Sequence, residues 1–225
     1  MPLEVVAILE TALAYWDINL TDDQRRCFDS YACQLVDWNT NRMNLTRLVS
    51  GHDIAIGHFL DSIAITQVYR IPSEATLLDV GAGAGFPGLP IKIMRPDLRV
   101  TLLEATAKRL LFCSSIVETC NLFNVNIIHG RADEHDKARK IRGLFDVITA
   151  RAVAPMRTLI PWTIPYLAPG GILVAWKGPA AQEEMDAARD TVRHLRIRWR
   201  IVPVALPLSG EPPRAHQYIL CQRED

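Results

Sequence analysis

Apolar side chains recur every three to four positions through the first seventy residues, at Val5, Val6, Ile8, Leu9 and Leu13 and again at Phe28, Tyr31, Leu35 and Trp38. That period is the signature of helices with one buried face. Thr21 followed by Gln24 reads as a capping box that opens the second helix. A third helical stretch spans residues 53–69 and stops ahead of Pro72. After Thr76 the texture changes to short apolar runs, TLLDV, RVTLLE, NVNIIH, FDVITA and GILVAW, each read as a strand buried on both faces of a parallel sheet. GLPIKIMR, KRLLFCSSIVETC, MRTLIPWTIPYL and QEEMDAARDTVRHLR alternate with them as crossover helices, and right-handed crossovers then give a doubly wound α/β sheet. RIVPV and HQYILCQ have no helix between them, so an antiparallel pair completes a mostly parallel seven-stranded sheet. The expected organisation is a helical segment over residues 1–72 packed on a sheet domain over residues 73–225.

Length and composition fit that picture. Of the 225 residues 49% are apolar and 22% are charged, which is ordinary for a globular protein. A chain of this length is large enough to bury roughly 70% of its unfolded surface in one domain. A membrane span needs about 18 consecutive apolar residues, and no run comes near that length. The first residues lack the basic segment of a secretory signal, so a cytoplasmic protein is expected. Five cysteines without a Cys-x-x-Cys pair imply reduced, mostly buried thiols and no metal site. The net charge is zero but uneven. Before Leu77 there are five Lys and Arg against ten Asp and Glu, net −5, and from Leu77 onward twenty against fifteen, net +5. A polyanion would meet the second half.

The segment LLDVGAGAGFPG, residues 77–88, runs an apolar strand into a turn with Gly81, Gly83 and Gly85 at alternate positions. Glycines there let a ligand lie against the backbone and the helix start that follows. A dinucleotide fingerprint would be G-x-G-x-x-G, but Phe86 occupies the position of the third glycine. The G-x-G-x-G form resembles the turn of S-adenosylmethionine-dependent methyltransferases, where no pyrophosphate needs cradling. Glu104, about twenty residues on, ends its strand where an acid accepts both ribose hydroxyls of a nucleoside cofactor. Asp133, past the third strand, either reaches an adenine ring or is an exposed loop acid. FDVITARA followed by YLAPGGILVAWKG, with its Pro-Gly-Gly turn, completes four signals in the order such enzymes show.

Absences narrow the methyl acceptor. The position after the fourth strand holds ARAVAPM rather than the Asp/Asn-Pro-Pro-Tyr/Phe of amino-directed enzymes, and no cysteine sits in a nucleophile motif. An acceptor that already owns a lone pair, such as guanine N7, needs alignment and electrostatic stabilisation rather than a base.

The blocks VDWNTNRMNLT, HFLDS, LLDVGAGAGFPGLPIKI, TLLEATAKRLLF, ITARAVAP and VAWKG together resemble the small-subunit (16S) ribosomal RNA guanine-N7 methyltransferase G family, also called glucose-inhibited division protein B. The resemblance implies a Rossmann-like fold, S-adenosylmethionine as cofactor, and methyl transfer to N7 of a guanine in 16S ribosomal RNA or the small subunit. It implies cofactor contacts at Gly81, Phe86, Ala132, Asp133 and Arg151, beside the turn glycines Gly83 and Gly85 and Glu104. Relatives often carry Glu at the position of Asp133 and also use Asp at that of Glu104. Arg151 is the candidate catalytic residue.

For the RNA face, Lys108, Arg109, Arg151 and Lys177 stand just past strand ends, where open α/β sheets bind ligands. Arg109 reads equally as the start of an amphipathic helix. His58 and Asp61 are one helical turn apart and can orient each other, as a structural pair or as part of the substrate site. Asn44 and Thr46 line a pocket or cap a helix, and Arg193, Arg196, Arg198 and Arg200 read first as solvated surface. A nicotinamide dehydrogenase would need a third spaced glycine and a proton relay. A noncatalytic RNA-binding module on the same scaffold would bind neither cofactor. A monomer is expected.

Overall fold

The computed structural model describes residues 2–134, 141–210 and 216–224. Helix α1 (Pro2–Ala14) is followed by α2 (Asp22–Asn41), whose start carries the expected capping box: the Gln24 amide donates to Thr21 Oγ1 at 3.3 Å and the Thr21 amide to Gln24 Oε1 at 2.9 Å. The third helical stretch differs from its expectation. It winds as a π-helix over Asp53–Leu60 and continues as the short α3 (Asp61–Ile63) and α4 (Ile65–Val68). π-winding is uncommon and concentrates at functional sites. Here the wound segment and the residue after it contribute Gly57, His58 and Asp61 to one cation, as described below.

Strands β1 (Thr76–Val80), β2 (Arg99–Glu104), β3 (Val125–His129), β4 (Phe145–Arg151), β5 (Leu167–Lys177), β6 (Ile197–Pro203) and β7 (Gln217–Arg223) form a sheet in the order β3-β2-β1-β4-β5-β7-β6. The first five are parallel, and β7 runs antiparallel to both β5 and β6. Chain order reverses between β1 and β4, which is where ligands of open α/β sheets bind. Helices α5 (Gly88–Met94), α6 (Ala107–Thr119), α7 (Met156–Thr163), α8 (Ala181–Ala187) and α9 (Arg189–His194) connect the strands.

Alternating side chains divide the interior into two layers. Leu77, Leu102, Val147 and Val174 face a core shared with Leu9, Leu13, Phe28, Leu35 and Phe59 of the N-terminal helices and with Leu89 and Phe112. Leu78, Val80, Leu103, Ile148 and Leu173 face a second core with Met156, Leu159, Ile160 and Met185. The N-terminal helices therefore have no core of their own. Each fully buried Leu they place against the sheet contributes about 1.5–3 kcal/mol.

Three further expectations change. NVNIIH is not buried on both faces: among the described residues β3 lies at the sheet edge, pairs only with β2, and leaves Asn126 and His129 exposed. The Pro-Gly-Gly turn lies inside β5, beside a register irregularity between Phe145 and Val147. Gly171 is needed there because a Cβ would sit 2.8 Å from the Phe145 carbonyl oxygen. Of the five unpaired thiols only Cys113 and Cys221 are buried; Cys27 and Cys120 are half-buried and Cys33 is exposed.

Candidate active site

The turn after β1 uses its three glycines differently. A Cβ on Gly81 would lie 2.8 Å from Val153 Cγ2, and one on Gly85 would lie 2.5 Å from Leu89 Cδ1 and 2.6 Å from the Tyr31 hydroxyl. Those two are fixed by close packing and by φ values of +67° and +89°. On Gly83 a Cβ would meet nothing nearer than the Gly81 carbonyl at 3.8 Å, so the middle glycine faces open space. Underneath lies Asp79, fully buried. It accepts from the Gly88 amide and the Thr149 hydroxyl, both at 2.9 Å, and thus ties the turn to α5 and β4. Burial pushes its carboxyl up to about 7 against the opposing pull of those two hydrogen bonds. The sequence motifs pass over Asp79, although a lone acid inside an apolar strand is a visible signal.

Glu104 ends β2 beside this turn. Its Oε2 accepts from the Gly83 amide at 2.9 Å and its Oε1 from the Thr106 amide at 2.8 Å, so the backbone orients the carboxylate before any ligand arrives. Arg109 stands 4.0 Å from Glu104 Oε1, half-buried, and Lys108 is exposed. Past β3, Ala132 is buried and its carbonyl accepts from the Tyr166 hydroxyl at 3.0 Å, while Asp133 pairs with Arg131 at 2.9 Å. The turn, Glu104 and the 132–133 loop thus follow β1, β2 and β3 at one end of the sheet.

Phe86 is buried between rings. Tyr31 stacks on it at 5.2 Å between centroids and His58 at 4.4 Å. Any cofactor contact from Phe86 therefore falls to its backbone or ring edge. The Arg151 guanidinium sits 5.2 Å from the same ring, a cation–π arrangement. It donates through Nη1 to Asp61 Oδ2 at 2.8 Å and the Gly57 carbonyl at 3.0 Å, and through Nη2 to His58 Nδ1 at 3.0 Å. Accepting at Nδ1, His58 is the neutral tautomer that donates from Nε2 to Thr46 Oγ1 at 2.9 Å. Burial, reinforced by the Arg151 charge, lowers its pKa to about 3. His58 and Asp61 meet through Arg151, some ninety residues away. Asp61 also accepts from the Tyr218 hydroxyl at 3.1 Å, lies 3.7 Å from His216, and receives the Trp176 indole N–H on its carbonyl at 2.9 Å. Burial works to raise its pKa, but His216 and Arg151 outweigh that and hold it below the ordinary value.

Beyond Arg151 opens a cleft of about 520 Å³, bordered by the loop after β4 and the end of β5. Val153, which packs on Gly81, lines it, so the cleft adjoins the glycine turn. Lys177, a candidate for the RNA face, lines this cleft and is only 10% exposed. Its Nζ donates to the Ala154 carbonyl at 2.8 Å and pairs with Glu184 at 2.7 Å, which neutralises its charge at the cleft wall. Asn44 is exposed. Of the basic cluster, Arg193 and Arg198 pair with Asp190 and Glu224, and Arg200 donates to the Val68 carbonyl. Among the described residues no helix is long and apolar enough to cross a membrane, and no group of three or more His, Cys, Asp and Glu can hold a metal.

The family model for rRNA small subunit methyltransferase G matches residues 24–206. A ribosomal RNA small subunit methyltransferase G from Streptococcus pyogenes serotype M12 is 43% identical over 175 residues, which is 77% of this chain and 73% of that protein; the one from serotype M1 matches to the same extent. Among solved structures, precorrin-6y C5,15-methyltransferase from Geobacter metallireducens superposes with a TM-score of 0.58 at 14% identity, covering 80% of this chain and 92% of that one. M. jannaschii TYW2 in complex with AdoMet gives 0.54 at 10% identity, covering 72% and 74%. These distant structures establish the fold, and the family match with its close relatives establishes the rest: the chain belongs to the rRNA small subunit methyltransferase G family.

Proposed function

We propose that this protein transfers the methyl group of S-adenosylmethionine to N7 of a guanine in 16S ribosomal RNA, acting in the cytoplasm as a monomer. The observation that carries the reading is the pairing of Gly83 with Glu104. An open glycine and a carboxylate already oriented by the Gly83 and Thr106 amides stand together beside the reversal of strand order. These residues fit the cofactor. Gly81, Gly83 and Gly85 let it approach the backbone, Glu104 accepts its ribose hydroxyls, and Ala132 and Asp133 stand past the third strand for its base. Phe86 belongs to the turn, and the Arg151 guanidinium stands 5.2 Å from its ring. When bound, the cofactor supplies a methyl group made electrophilic by its sulfonium.

The remaining work is alignment. Guanine N7 presents a lone pair in the ring plane and needs no deprotonation. The groups around Arg151 match that need, since His58 is neutral with both nitrogens engaged and Asp61 is held ionised by its partners. Lys108, exposed, and Arg109, 4.0 Å from Glu104, would meet RNA phosphates. The test is incubation with labelled S-adenosylmethionine and small subunits lacking the modification, followed by mapping of the labelled base. Label at a guanine N7 of 16S RNA is expected; label elsewhere, or none, overturns the proposal.

A further inference from the structure

The cleft beyond Arg151 contains one feature the cofactor site does not use. Glu184, in α8, is 28% exposed and lines the cleft with Lys177. Its Oε2 accepts from the Met156 amide at 2.9 Å and forms an ion pair with Lys177 Nζ at 2.7 Å, whereas Oε1 takes no hydrogen bond from the described residues. Lys177 spends one of its three donors on the Ala154 carbonyl and is held against Glu184 by charge. The wall therefore presents a donor and an acceptor side by side, locked to each other and to the loop after β4.

We propose that this Lys177–Glu184 pair reads the target base, Lys177 donating to guanine O6 and Glu184 Oε1 accepting from guanine N1–H. This rests on the reading of the protein as a guanine-N7 methyltransferase and names the residues that select its acceptor. On guanine, O6 and N1–H are adjacent and present acceptor then donor, which complements the pair. Adenine presents a 6-amino donor and an N1 acceptor, the reverse order, and would leave both protein groups opposed. A site built to satisfy one hydrogen-bond pattern rejects the other strongly because its own buried polar groups go unpaired. O6 and N7 lie on the same edge of guanine, so a base held this way keeps N7 next to the anchored group, in a cleft that borders the glycine turn through Val153.

The same contact aids the chemistry. The N7 lone pair forms the bond to the methyl carbon and the carbon–sulfur bond breaks with its electrons going to sulfur. No proton moves, and the positive charge passes to the purine. N1–H becomes more acidic as that charge develops, so its hydrogen bond to the Glu184 carboxylate strengthens toward the transition state and contributes to kcat.

The experiment uses small subunits reconstituted with 16S RNA carrying guanine, inosine or adenine at the target position. Inosine keeps O6 and N1–H and lacks the 2-amino group. The wild-type protein is expected to methylate inosine within about tenfold of guanine and to leave adenine unmodified. A loss above about 100-fold on inosine overturns the proposal, because the 2-amino group would then be the group read. Glu184→Gln is expected to lower kcat on guanine about 100-fold with S-adenosylhomocysteine affinity kept, while the melting temperature falls because Lys177 loses its ion partner. Wild-type kcat in that variant also overturns it. Absence of wild-type transfer to guanine itself would refute the methyltransferase reading instead, so the two failures are distinguishable.

Discussion

His58 and Asp79 are buried groups whose protonation opposes each other's effect on stability, and the opposition is measurable. His58 is 5% exposed, with a pKa lowered from 6.5 to about 3 by burial and then by Arg151. Between those values the unfolded chain binds a proton that the folded chain refuses, so this group makes stability rise with pH. Asp79 is fully buried with a pKa raised from 3.8 to about 7, chiefly by burial. Between those values the folded chain holds a proton that the unfolded chain has released, so this group makes stability fall as pH rises. One proton corresponds to about 1.4 kcal/mol per pH unit, and from pH 5 to pH 6 each group is near its full effect, giving about +1.2 and about −1.3 kcal/mol. The pair thus nearly cancels in the wild type. His58→Asn should tilt the stability profile downward by about 1 kcal/mol between pH 5 and 6, and Asp79→Asn should tilt it upward by about the same amount. Urea unfolding of the three proteins at both pH values reads the tilt directly, and subtracting the wild-type profile removes every titration the variants share. Parallel profiles for wild type and either variant would refute the protonation state argued for that group.

Glu104→Ala should weaken S-adenosylhomocysteine binding by about 1–3 kcal/mol, as for loss of hydrogen bonds to a charged group; an unchanged dissociation constant in calorimetric titration removes Glu104 from the site. Arg151→Ala should abolish methyl transfer and cost about 3 kcal/mol of stability, because it leaves Asp61 and His58 buried without their shared cation; wild-type turnover, or an unchanged denaturation midpoint, contradicts the assignment. Gly83→Ala should cost only about 1 kcal/mol of backbone strain, since its Cβ meets open space, yet weaken cofactor binding. Gly85→Ala adds a collision of the new Cβ with Leu89 and Tyr31 to the same backbone strain. Its cost should reach about 2 kcal/mol or more, as for overpacking of a filled core. Equal denaturation midpoints for the two glycine variants would contradict that division of labour.

What was legible in the chain were features set by local period and short spacing. The strand runs, the Thr21–Gln24 cap and the placement of Glu104 beside the glycine turn all depend on neighbours within about twenty residues. What was not legible depends on contacts across the fold. The exposure of β3 follows from its edge position, which no pattern inside NVNIIH encodes. Phe86 gives no hint in the motif that Tyr31 and His58 cover its two faces. The spacing of His58 and Asp61 pointed to direct contact, whereas the partner that joins them comes from β4. The ion partner of Lys177 is not visible in its motif because Glu184 lies on a later helix. Glu184 itself carried no motif at all.

The hydroxyl of Tyr31, in α2, donates to the Ala84 carbonyl inside the glycine turn. The N-terminal layer is thereby fastened, from the middle of α2, to the carbonyl of the residue between Gly83 and Gly85. Occupation of the crevice and closure of that helix then draw on a single free energy: whatever ligand holds the turn must also slow the opening of α2, and the amides of residues 28–35 should exchange with deuterium more slowly in the loaded enzyme.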